Sequence, residues 1–167
     1  LDAVVQEVLK GASGDDALTL SGRAVSGDAF DGGAGSDTLV LDGSGNNEIA
    51  IENTEVVQGG AGDDRIEIRG PGTDGISIST GGGDDGLILG DDFNFVSASI
   101  SGDDLIISAE YTDPTDAAAS AETVSITVDD HAASPISSVE MDLDGDGAID
   151  AASEVFSVNT SGDASAS

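Results

Sequence analysis

The sequence predicts an all-β protein: a right-handed parallel β-roll of Gly/Asp-rich repeats, capped by a small antiparallel β segment. Three observations point there. A ten-residue stretch rich in Gly and Asp recurs, with substitutions, between residues 11 and 89. Each copy ends in an alternation of aliphatic and variable residues, the period-two mark of a strand with one buried face. With 24 Gly, 3% aromatic residues and no Cys, the chain has the means for neither a large conventional core nor a disulfide framework.

The best-formed copy is GGAGDDRIEI, residues 59–68, a tight turn that runs directly into a short strand. Its relatives are GASGDDALTL (11–20), GGAGSDTLVL (32–41), DGSGNNEIAI (42–51), RGPGTDGISI (69–78) and TGGGDDGLIL (80–89). The fourth position is Gly in all six: Gly14, Gly35, Gly45, Gly62, Gly72 and Gly83. The sixth is Asp16, Asp37, Asp64, Asp74 or Asp85, with Asn47 the exception. Positions eight and ten are aliphatic throughout, from Leu18/Leu20 to Leu87/Leu89. A flexible linker would not hold these columns in phase. The pattern G-G-x-G-x-D-x-U-x, U being a large apolar residue, is that of the calcium-binding parallel β-roll.

The chemistry of each column follows. Gly, including Gly60 at the second position, supplies turns with φ > 0 and lets backbone carbonyls face a common centre. Asp adds a carboxylate to that centre. Hard oxygen donors without nitrogen or sulfur suit Ca2+, which takes six to eight of them. One loop cannot close such a sphere and needs the equivalent loop of the next coil, about 4.8 Å away. Several calcium ions are therefore expected, and metal replaces the missing disulfides as the staple of the fold.

Four Lys+Arg against 34 Asp+Glu give a formal net charge of −30. Self-repulsion of that size opposes compaction without cations, and it argues against nucleic acid or an anionic membrane as partner. Part of the acidity belongs to the loops, and solvation in salt water would account for the rest. No apolar run is long enough to span a membrane, and no signal peptide is recognisable. The start at Leu1 suggests a fragment or a processed product.

In chain order, residues 1–10 (LDAVVQEVLK) form an N-terminal cap or lead-in, with a strand favoured over a helix. Residues 11–92 form the roll. SGRAVSGDAFD (21–31) and ENTEVVQ (52–58) hold the place of a repeat without its full pattern. With half-coils assigned alternately to two sides, one coil is two repeats. One side then carries Asp16 and Asp37, a gap at ENTEVV, then Asp74 and Asp92; the other carries Asn47, Asp64, Asp85 and Asp104 in one line. Residues 93–167 form a C-terminal β cap. Within it DFNFVSASISGDDLIIS and TVSITVDD read as strands, DPTDAAASAE as an exposed loop able to form a short helix, and the tail after Val158 as disordered. DLDGDGAIDAAS has EF-hand-like spacing, with Asp142, Asp144 and Asp146 at positions one, three and five and Asp150 at nine.

Residues 11–92 resemble the RTX (repeats-in-toxin, haemolysin-type calcium-binding) family. The order FNF…SISGDDLIIS…TVSITVDD…ISSVEM is similar to the strand-rich segment that follows the repeats in many of those proteins. The resemblance implies loops that bind calcium, folding outside a bacterial cell where calcium is plentiful, and type I export. The ten-residue stride, Asn47 and the degenerate half-coils depart from the family pattern.

No catalytic constellation accompanies the repeats. There is no Cys, no G-x-S-x-G and no P-loop Lys, and the calcium loops account for the paired carboxylates. His131 reads as a strand-end cap, Arg23, Arg65 and Arg69 as solvated charges pairing with nearby acids, and Asn159-Thr160-Ser161 as a chance glycosylation match. The expected function is that of an extracellular, cell-surface calcium-binding structural module of a surface layer, adhesin or filament, not an enzyme. A homo-polymer or cell-surface assembly is its expected partner. Two alternatives stand beside it: the export-and-folding module of a larger secreted enzyme or toxin, and a carbohydrate-associated module.

Overall fold

A computed structural model describes residues 7–131, 133, 135–141, 155–158 and 164–166. Among them there is no helix, and none therefore that is long and apolar enough to cross a membrane. The alternating triplets form short strands: β1 Val8–Lys10, β2 Ala17–Thr19, β3 Asp28–Asp31, β4 Thr38–Val40, β5 Glu48–Glu52, β6 Val56–Gly60, β7 Arg65–Ile68, β8 Ile76–Gly81 and β9 Asp85–Leu89. Odd strands stack in one sheet and even strands in the other, all parallel to their neighbours. The result is a β-solenoid of about four turns.

Period two puts every second side chain inside, and stacking aligns the inner ones into columns. Ile49, Ile66 and Leu87 are one such column, and Ile51, Ile68 and Leu89 a second, in one sheet. Leu39, Val57, Ile78 and Val128 face them from the other sheet. All ten are buried, and each buried aliphatic side chain contributes about 1.5–3 kcal/mol. Narrow as it is, the interior is thus packed by repetition.

The end of the solenoid is built differently. β10 Phe93–Ser101, β11 Asp104–Tyr111 and β12 Glu122–Val128 form an antiparallel meander, and β12 then joins β8 in parallel. β13 Ile136–Met141 crosses to the other sheet and pairs in parallel with β9, and β14 Val155–Val158 and β15 Ala164–Ala166 extend that sheet antiparallel. The expected antiparallel cap is therefore present, and it covers both sheets.

The stretch 112–121 is the exposed loop expected, a series of turns organised by the Asp113 and Asp116 carboxylates bonding backbone N–H groups two residues on. Two expectations need correction. The tail beyond Val158 carries a strand, β15, because β14 offers it an open edge. The copy at 69–78 is out of register by two residues: Val57 aligns with Ile78, so Ile76 and not Asp74 takes the place of the column Asp.

Candidate metal centre

The loops joining the two sheets form two stacks. One contains loops 11–16, 32–37, 53–55 and 69–75; the other contains 20–24, 42–47, 59–64 and 80–85. Both stacks obey one rule wherever two full repeats meet. The backbone N–H of the sixth residue donates to the sixth side chain of the following coil: Asp16 N to Asp37 Oδ1 (2.7 Å), Asn47 N to Asp64 Oδ1 (2.9 Å) and Asp64 N to Asp85 Oδ1 (2.8 Å). The fifth residues bond in the opposite direction, on the surface. Ser36 N donates to Asp15 Oδ1, Asp63 N to Asn46 Oδ1 and Asp84 N to Asp63 Oδ1, at 3.0–3.1 Å. An inner and an outer ladder thus cross between successive loops.

Apart from half-buried Asp16, the inner ladder lies out of water. Asp37, Asn47, Asp64 and Asp85 are each at most 2% exposed. The second oxygens of two ladder aspartates bond back into their own loops. Asp16 Oδ2 accepts from Ala12 N at 2.8 Å and Asp64 Oδ2 from Gly60 N at 3.1 Å. Close approach explains the Gly at the first position: a Cβ on Gly59 would stand 2.6 Å from Asp64 Oδ2 and 2.5 Å from Thr80 O. At the fourth position Gly83 has φ 134°, a conformation other residues avoid.

Asp37 Oδ2 and Asp85 Oδ2 are buried with no hydrogen-bond partner. A buried charged oxygen left unpaired costs free energy unless a cation or proton reaches it. The Asp85 carboxyl is accordingly pushed above its ordinary value of 3.8, first by burial, against which the Asp64 N–H and the Thr80 hydroxyl act. Thr80 Oγ1 is a hydrogen-bonding neighbour of the Asp85 carboxyl that falls short of full bond geometry. These two orphaned carboxylate oxygens are donors of the type Ca2+ prefers. Among the described residues no three acidic or histidine side chains converge, so backbone carbonyls would have to supply most of any coordination sphere.

Other candidates lie elsewhere. Asp104 begins β11, in the opposite sheet, where it accepts from Asp130 N at 2.9 Å; Ile136 stands beside Asp85 instead. Asp74 is exposed at the outside of its turn. The gap at ENTEVV is filled by Glu55, which the repeat pattern concealed. Its buried carboxylate accepts from Asp37 N through Oε2 and from Thr73 N through Oε1, both at 2.6 Å. The longer side chain spans a loop that lacks the glycines. The acid two residues before Val57, in phase with Asp37 before Leu39, was the available signal.

Asp92 lines an open cleft of about 750 Å3 with Glu52, Asp113, Glu122, Tyr111 and Arg69. Burial first, then Asp91 and Asp113, holds its carboxyl above 3.8. Arg69 is engaged by Glu67 through two hydrogen bonds, and Arg65 pairs with Glu140 across sheet neighbours. His131 is buried and its Nδ1 accepts from Ile136 N at 3.2 Å, in keeping with a capping role. Asp142, Asp144, Asp146 and Asp150 lie outside the described residues.

Fold and loops together define a two-sheet parallel β-solenoid with buried acidic turns. Compared with known proteins, the chain matches no family model, no curated protein and no solved structure.

Proposed function

We propose that this chain is an extracellular calcium-binding structural module, a building block of a surface layer, adhesin or filament, that folds on binding Ca2+. The observation that carries the reading is the pair of buried carboxylates, Asp37 and Asp85, each with one oxygen lacking a partner inside a glycine turn. Asp37 and Asp85, with carbonyls of loops 32–37 and 80–85, would hold the ions, and Asp16 and Asp64 would support them through the inner ladder. A formal charge of −30 adds a general demand for cations. Weak sites of this type fill at the calcium concentrations found outside cells. The bound ions would supply charge neutralisation, which makes stacking of acidic loops favourable, and stability gained by mass action on the folded state.

Circular dichroism in excess chelator, followed by calcium titration, tests this. The expected result is a weakened β-signal and a lowered melting temperature in chelator, both restored by millimolar Ca2+. An unchanged signal and melting temperature, with no ion retained on equilibrium dialysis, would overturn it.

A further inference from the structure

Asn47 stands between Ala24 and Asp64 in a column whose acids are Asp64 and Asp85, and its amide is oriented by its neighbours. Oδ1 accepts from Ala24 N at 3.1 Å. Nδ2 faces three oxygens at once: Asp42 O at 3.1 Å, Gly45 O at 2.9 Å and Asp64 Oδ1 at 2.8 Å. The reversed amide would set oxygen against three oxygens and nitrogen against an N–H, so the network permits one orientation. An NH2 group has two hydrogens for these three acceptors. Carbonyl, carbonyl and carboxylate converging on one buried point is the donor set of a hard cation, here met by a nitrogen of the protein.

We propose that the Asn47 amide is a built-in substitute for a cation, occupying the centre of an oxygen cage that an aspartate at this position would present to a divalent ion. The loop 42–47 is thereby independent of metal, while loops 32–37 and 80–85, with aspartate at the same place, are not. The contrast between those loops rests on the calcium reading above; the cage around Asn47 Nδ2 does not. A metal-free loop in mid-stack gives the solenoid a place from which ordering can spread before ions arrive. It also fixes Asp64 Oδ1, which receives both Asn47 N and Asn47 Nδ2.

The test compares wild type, Asn47→Asp and Asn47→Ala, with bound calcium counted by equilibrium dialysis and stability measured in chelator and in millimolar Ca2+. Asn47→Asp is expected to bind one more ion per chain than wild type. It should be less stable than wild type in chelator, where four oxygens would face one another, and should recover in calcium. If it is unfolded in chelator, calcium-induced refolding gives the same readout. Asn47→Ala should lose stability in both conditions without recovery. An Asn47→Asp chain that binds no additional ion, or matches wild type in chelator, overturns the proposal. The wild-type ion count separates the two ideas: a count of zero sinks the calcium reading, while the difference between the chains still decides the role of Asn47.

Discussion

Loops 42–47 and 80–85 share one stack and one repeat, yet they close in different ways. In the first, the Asn47 amide bonds the loop's own carbonyls and every buried side-chain atom has a partner. In the second, Asp85 uses Oδ1 on the ladder and leaves Oδ2 buried and unpaired. The other stack has a third solution, in which Glu55 reaches across a shortened loop to two backbone donors. The stacking of the loops is retained; the terminal atoms of one residue decide whether a loop is self-sufficient. A repeat can thus preserve its architecture while its dependence on outside ions varies from turn to turn.

The sharpest way to break this comparison is to remove an inner-ladder acceptor. Asp64→Ala strands Asn47 N and Gly60 N, while Asn47 Nδ2 keeps its two carbonyl acceptors, and at about 1–3 kcal/mol per unpaired donor it should cost roughly 2–6 kcal/mol in chemical denaturation. Asp63→Ala removes only exposed outer-ladder bonds, to Asp84 N and Asn46 Nδ2, and should cost less than about 1 kcal/mol. Equal losses would abolish the distinction between the ladders.

The reach of Glu55 gives a smaller effect. Glu55→Ala should cost about 2 kcal/mol by leaving Asp37 N and Thr73 N without an acceptor. Glu55→Gln keeps one oxygen and should recover part of that, whereas Glu55→Asp, one methylene shorter, should behave like Ala. An Asp variant as stable as wild type would refute the argument from length.

The smallest effect concerns the open cleft, whose carboxylates lie nearer water than those of the loops. Asp92 has its pKa raised above 3.8, so once ionised it opposes folding, and the stability it withholds returns as pH falls through that raised value toward 3.8. Asp113→Asn removes one of the like charges and should move the Asp92 titration down, as read by carboxyl NMR. No movement would leave burial and Asp91 as the causes.

The solenoid was legible because its physics is local. Gly at the fourth position, Asp at the sixth and aliphatics at the eighth and tenth recur in phase, and stacking converts that phase directly into ladders and core columns. Where the phase breaks, sequence and structure part. Loop 53–55 has no glycine, so Glu55 was passed over although it sits where Asp37 predicts an acid. The GDDL at 102–105 has the look of another coil but turns an antiparallel hairpin, since Ser101 pairs with Asp104 within the meander. Tertiary pairing with β12 decided that, and nothing in four residues records it. Asn47 was readable as a ligand by position; only its amide geometry reveals a donor.

The two-strand closure at the end of the solenoid has a kinetic consequence. Neighbouring coils pair residues about twenty apart, as Leu18 does with Leu39, whereas Ile76 must wait for Ile126 and Leu87 for Val139. Contacts of long sequence separation form slowly because the intervening chain must first be brought back. Coils can therefore assemble one after another while the last two strands of the stack keep exposed, pairing-competent edges. Delivery of β12 and β13 moves those open edges to β10 and β15, so a chain cut between β12 and β13 would end one sheet at β10 and leave the other open at β9.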